Sequence, residues 1–212
     1  MKIKKNNDQS INENIDISKY LHGLKVERIY RILLSKPSIQ RSWYKIAQMA
    51  DVSYGWAHRI LSKLRDKNII QGSNVRKPHQ LFKLWSERQA PILYREYHIQ
   101  RPKDIFKKCK FDYAFTTYFA EQLIGNYLFP TFYDIYIHQQ DALVWHKLLS
   151  DKGYVGKGNV RIFLSDENVF WDGKKTQGWS IVSIQQLIVD LLREGAECTE
   201  AAELLIRRYY ND

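Results

Sequence analysis

Asp172-Gly-Lys174, directly after the apolar run Val169–Trp171, has the D-x-K form that ends a strand in metal-dependent endonucleases, with Asp166 or Asp112 able to supply a second carboxylate. The same Asp-Gly pair is also an ordinary hairpin turn, and the run before it reads as a strand entering that turn. Other catalytic constellations are missing. The six histidines (His22, His58, His79, His98, His138 and His146) form no H-E-x-x-H or other close ligand pair. Cys109 and Cys198 stand 89 positions apart, without the C-x-x-C spacing of a thiolate site. The glycines of Gly153–Gly158 flank Lys157 without completing G-x-x-x-x-G-K-[ST], so a loop turn is expected there. No G-x-S-x-G elbow occurs, nor the Gly-Ser with spaced aspartates of a nucleotidyltransferase. Neither a catalytic residue nor a metal or cofactor is therefore expected, and the nuclease reading stands only as an alternative.

Polyanion chemistry fits the composition better. The 212 residues carry 33 Lys+Arg against 23 Asp+Glu. Residues 1–85 hold 17 basic and 6 acidic side chains, whereas residues 86–212 hold 16 and 17. All of the positive excess thus lies in the first two-fifths, as expected of one segment that meets a polyanion and another with a different task. No apolar stretch approaches the ~18 residues that cross a bilayer, and the N-terminus lacks the apolar core of a signal peptide. A cytoplasmic protein without a membrane partner is expected.

The elements that would position those charges follow from periodicity. Val26, Ile29, Tyr30, Leu33 and Leu34 make one helical stripe over Leu24–Ser35, which Pro37 stops ahead of a Ser38–Gln40 connection. Ser42 then caps a helix over 43–50 with Ile46, Ala47 and Met49 inward, Asp51-Val52 turns the chain, and Ser53 caps a third helix over 54–66. Trp43 and Trp56 fall on the apolar stripes and read as core. Asn68–Leu84 reads as strand, basic turn and strand. Tyr54, Gly55, His58, Arg59, Ser62 and Lys63 are left outward on the third helix, with Ser42 and Lys45 at the start of the second.

The pattern Ile46-Ala-x-x-Ala-x-Val-Ser-x-x-x-Ala-x-Arg-Ile-Leu-x-x-Leu64, followed by Ile69-Ile70, resembles winged helix-turn-helix transcription regulators over about residues 24–85. The resemblance implies double-stranded DNA as partner. The outward third-helix residues would enter the major groove, Ser42, Lys45 and the capping Ser53 would lie at helix N-termini near phosphates, and Arg76, Lys77 and His79 would sit at a wing tip.

Beyond Trp85 the signals alternate. Arg101–Lys110 reads as a basic loop, 111–127 as a helix with packing aromatics, Phe132–His138 and Val160–Leu164 as strands, and Asp141–Leu149 as a helix. Gly178–Gly195 reads as a short strand and a helix capped by Ser183 and ended by Gly195, and Glu200–Tyr210 as a last helix. This Ser-x-x-Gln-Leu-x-x-Asp-Leu helix, glycine and Ala-Ala-x-x-Leu helix resembles the C-terminal domain of AbiE-type (type IV) toxin–antitoxin antitoxins, although many relatives place proline where this chain has Ile184. The expected architecture is α+β: a mobile arm over 1–22, a winged helix-turn-helix domain over 23–85, and an α/β domain with a small mixed sheet over 86–212. The resemblance implies an autoregulatory DNA-binding regulator, expected as a homodimer. The alternative is an antitoxin whose main work is neutralising a nucleotidyltransferase-type toxin.

Overall fold

The computed structural model describes residues 18–35 and 41–210. Pro37, the Ser38–Gln40 connection and residues 1–17 of the expected arm lie outside them. Helix α1 (Ser18–Leu33) begins inside the segment expected to be an arm. Gly23 costs a helix interior only about 1 kcal/mol, too little to stop one whose later turns are packed. Val26, Ile29, Tyr30, Leu33 and Leu34 are all buried. Helices α2 (Trp43–Met49) and α3 (Tyr54–Asp66) follow, separated by a turn in which Asp51 takes a positive φ.

The next segment differs from expectation. A short hairpin, β1 (Ile70–Gln71) with β2 (Asn74–Val75), turns at Gly72-Ser73, where Gly72 has φ 63°. The chain then enters helix α4 (Pro78–Ser86), not a second long strand. Leu81, Phe82 and Trp85 are fully buried, and their i, i+1, i+4 spacing is that of one helical face. The approximate alternation in Leu81-Phe82-Leu84 had suggested the opposite.

The elements that follow α4 are β3 (Ile92–Ile99), α5 (Pro102–Lys108), β4 (Tyr113–Thr116), α6 (Thr117–Ile124), β5 (Tyr133–Ile137), α7 (Ala142–Ser150), β6 (Gly153–Val155), β7 (Val160–Leu164), β8 (Lys174–Thr176), β9 (Trp179–Ile181), α8 (Ile184–Glu194) and α9 (Glu197–Tyr210), which with β1 and β2 makes nine strands among the described residues. Seven of them form one mixed sheet in the order β6-β3-β7-β5-β4-β9-β8. β5 runs parallel to β7 and β4 to β9, and the other pairings are antiparallel. Strand β3 was not foreseen. Arg101–Lys110 is largely helix α5 rather than loop, and 111–127 divides into β4 and α6. Glu167–Phe170 is a 3-10 turn capped by the Asp166 carboxylate, not a strand. Gly158 lets β7 approach β3, since a Cβ there would meet the Tyr97 carbonyl oxygen at 2.1 Å.

The sheet is covered on both faces. Ala114, Thr116, Asp134, Tyr136 and Arg161 face α8: Tyr136 and Thr116 hydroxyls donate to Asp190, and Arg161 spans Asp134 and Glu194. Tyr113, Phe115 and Tyr97 face α5 and α7: Phe106 packs on Tyr113 and Phe115, Trp145 on Tyr113, and His146 on Tyr97. The molecule is therefore mixed α+β, with one contiguous hydrophobic cluster running from Ile29 through Trp85 to Val189.

Buried polar side chains cross the contact between α1, α4 and α8. The Trp85 indole donates to Glu27 at 2.9 Å, and Arg193 donates to the other Glu27 oxygen at 3.1 Å and to the Trp85 carbonyl at 3.4 Å. Arg31 lies over the Trp85 ring and donates to Gln186. Arg28 pairs with Asp166 at 2.7 Å, and the Tyr210 hydroxyl donates to the Leu34 carbonyl at 2.7 Å. These bonds fix α1, against which α2 packs and through it α3, to α4, α8 and α9.

Candidate nucleic-acid interface

Ser42 and Ser53 act as the sequence suggests at the ends of α2 and α3. Each adopts an extended backbone, and each hydroxyl accepts the amide of the residue three places on, Lys45 at 3.2 Å and Trp56 at 3.3 Å. Removing a serine cap costs about 1 kcal/mol. Ser53→Ala should therefore lower the unfolding free energy by that amount, read as a lower urea midpoint at unchanged slope, whereas Ser53→Asp should retain stability.

The α3 surface follows from its buried face. Ala57, Leu61 and Leu64 are in the core, which leaves Tyr54, Gly55, His58, Arg59 and Lys63 exposed and Ser62 half-buried. A Cβ at Gly55 would meet nothing within 4 Å, so the first turn of α3 is open to close approach. Ser42 and Lys45 are exposed beside it on α2. Neither Arg59 nor Lys63 nor Lys45 makes an ion pair with the described residues, whereas the neighbouring Arg65 pairs with Asp66.

The structure adds aromatic residues that the sequence reading missed or placed elsewhere. Tyr44, 60% exposed, lies 6.2 Å from the Tyr54 ring, and Tyr54 lies 5.8 Å from His58. Trp43 is half-buried rather than core: its indole donates to the Gly72 carbonyl at 2.9 Å, His58 meets it edge-on at 5.1 Å and Arg65 stacks over it at 5.6 Å. Trp56 is likewise only partly buried. Tyr44 could have been read from the sequence as the residue next to an N-cap, outside the apolar stripe.

The hairpin requires a correction. Its tip is Gly72-Ser73, and Ser73 is buried with its hydroxyl accepting the Arg41 amide at 2.9 Å. Arg76, Lys77 and His79 lie beyond the hairpin, at the entry to α4. Arg76 and Lys77 are exposed, the former donating to Gln71 at 2.5 Å. His79 instead contacts Glu203 of α9 at 3.1 Å and is not at a wing tip. The cause is Pro78, which opens a helix where a second strand was expected.

Asp166 and Asp172 of the nuclease alternative are each engaged in a local turn. Asp166 is held by Arg28 and caps the 3-10 turn, while Asp172 occupies the following turn with φ 60° and accepts from Gln185. Among the described residues no group of three or more His, Cys, Asp or Glu side chains converges as a metal site. Nor is any helix among them long and apolar enough to cross a membrane. No family model, curated protein or solved structure matches the chain.

Proposed function

We propose that the chain is a sequence-specific DNA-binding regulator whose α1–α3 unit and short hairpin act as a winged helix-turn-helix. One observation carries this reading: the outward face of α3 holds Tyr54, His58, Arg59 and Lys63 in solvent, with neither cation paired to a carboxylate among the described residues, in the segment that holds the whole positive excess of the chain. The B-DNA major groove admits one helix, and an arginine can bond two acceptors on a guanine edge. Ser42, Lys45 and Ser53 would fix the register on phosphates, with Arg76 and Lys77 contacting the flanking backbone. A homodimer on repeated half-sites completes the proposal.

The test is selection of bound duplexes from a random library at two ionic strengths. A defined motif should emerge at both. Arg59→Ala should relax preference at one position and cost about 1–3 kcal/mol, while Lys77→Ala should weaken all sequences alike and flatten the salt dependence. Recovery of unselected duplexes would overturn the reading.

The antitoxin alternative has one observation in its favour. The edge strand β6 leaves Tyr154 79% and Val155 54% exposed, an apolar edge to which a partner strand could add. Co-purification with a nucleotidyltransferase-like neighbour, lost in Tyr154→Lys, would support it.

A further inference from the structure

On the face of the sheet opposite to α8, a cleft of about 540 Å³ opens between α5 and α7, lined by Ile99, Ile105, Phe111 and Leu148. Its volume is that of a small-molecule site. Arg101, Lys108, Lys110 and Lys152 surround these apolar groups, and Asp104 is the sole acidic residue of the lining.

Those cations are not spent on the protein itself. None of the four pairs with a carboxylate among the described residues. The other two lysines of α5 behave differently: Lys103 sits over the Phe119 ring at 5.1 Å and Lys107 over Trp179 at 5.9 Å. Four unpaired positive groups at one apolar cleft repel one another, a cost that a bound negative charge would relieve.

We propose that this cleft binds a small amphipathic anion, a single carboxylate, sulfonate or phosphate head on an aryl or medium-length alkyl body. The head meets the Lys108, Lys110 and Lys152 side, and the body lies on Ile105, Phe111 and Leu148. A DNA backbone fits less well. It offers charge without an apolar body, and α5 and α7 cover the face of the sheet opposite to α8, to which the α1 unit is bound.

The test titrates the full chain with 8-anilinonaphthalene-1-sulfonate and displaces the dye with octanoate, 1-octanol or inorganic phosphate. Saturable binding to one site is expected, with octanoate displacing at least about tenfold better than either half-ligand, since neither charge nor apolar contact alone fills the site. Lys108→Glu with Lys152→Glu should weaken dye binding about tenfold or more, and Lys175→Glu, outside the cleft, less than about twofold. A readout without variants uses Cys109, a half-buried thiol in the cleft wall, since Cys198 is fully buried. Octanoate should slow its alkylation by iodoacetamide. Equal displacement by phosphate or by octanol, unchanged binding in the double variant, or unprotected Cys109 would each overturn the proposal.

Discussion

Glu27→Ala should lower the unfolding free energy by about 3–5 kcal/mol, the cost of leaving one partner of a buried ion pair uncompensated. Glu27 is 4% exposed, and its two oxygens accept from different elements, Oε2 from the Trp85 indole and Oε1 from Arg193. Truncation leaves the indole N–H without an acceptor in a fully buried ring. It leaves Arg193 with carbonyls and the more distant Asp190 at 3.6 Å. Glu27→Gln keeps an acceptor for the indole and should cost less, about 1–2 kcal/mol. Urea unfolding of Glu27→Ala, Arg193→Met and the double variant measures the coupling. The double variant should be less destabilised than the sum of the singles by more than about 1 kcal/mol. Additive losses would mean that Glu27 acts through packing alone.

That pair also marks where the sequence stops being legible. Helices α2, α3 and α8 each begin with a serine whose hydroxyl bonds an amide three residues on, and each carries its apolar residues at helical spacing, so local chemistry sufficed to locate them. Helices α4 and α5 were misread for a shared reason. Their N-cap residues, Lys77 and Arg101, have nearly the same backbone angles, make no side-chain cap bond and precede a proline. A residue before proline is biased towards extended backbone, so both sites resemble a strand or loop until the buried faces of Phe82–Trp85 and Phe106 are known. On the candidate interface, Arg59 and Lys63 could be read as outward because they lie opposite Ala57, Leu61 and Leu64. The engagement of His79 by Glu203 could not, since it depends on packing against a helix more than a hundred residues later. The cleft between α5 and α7 is likewise tertiary: Arg101–Lys110 was visible as a basic cluster, but Leu148 and Lys152 had to be folded beside it.

Asp190 should make the protein lose stability as pH rises through about 6. Burial pushes its carboxyl from the ordinary 3.8 up to about 6, against the opposing pull of Arg193 and of hydrogen bonds from Thr116, Gln186 and Tyr136. The native state therefore holds this proton over a range in which the unfolded chain has released it. Stability falls with pH wherever the native state binds more protons, so the contribution is complete below about pH 4 and lost above about pH 6. Two pK units correspond to about 3 kcal/mol. The neutral acid fits this site because the Thr116 and Tyr136 hydroxyls can rotate to accept its proton. Asp190→Asn removes the titration but presents an amide N–H₂ to hydrogen-bond donors, so its baseline stability is a poor measure. The informative quantity is the difference between wild type and variant in urea unfolding between about pH 4 and pH 7, in which titration of the other carboxylates cancels. Wild type should lose about 2 kcal/mol of that contribution relative to the variant over that range. Parallel curves would mean that Asp190 stays ionised beside Arg193, and that this ion pair, rather than a protonated acid, closes the contact between α8 and the sheet.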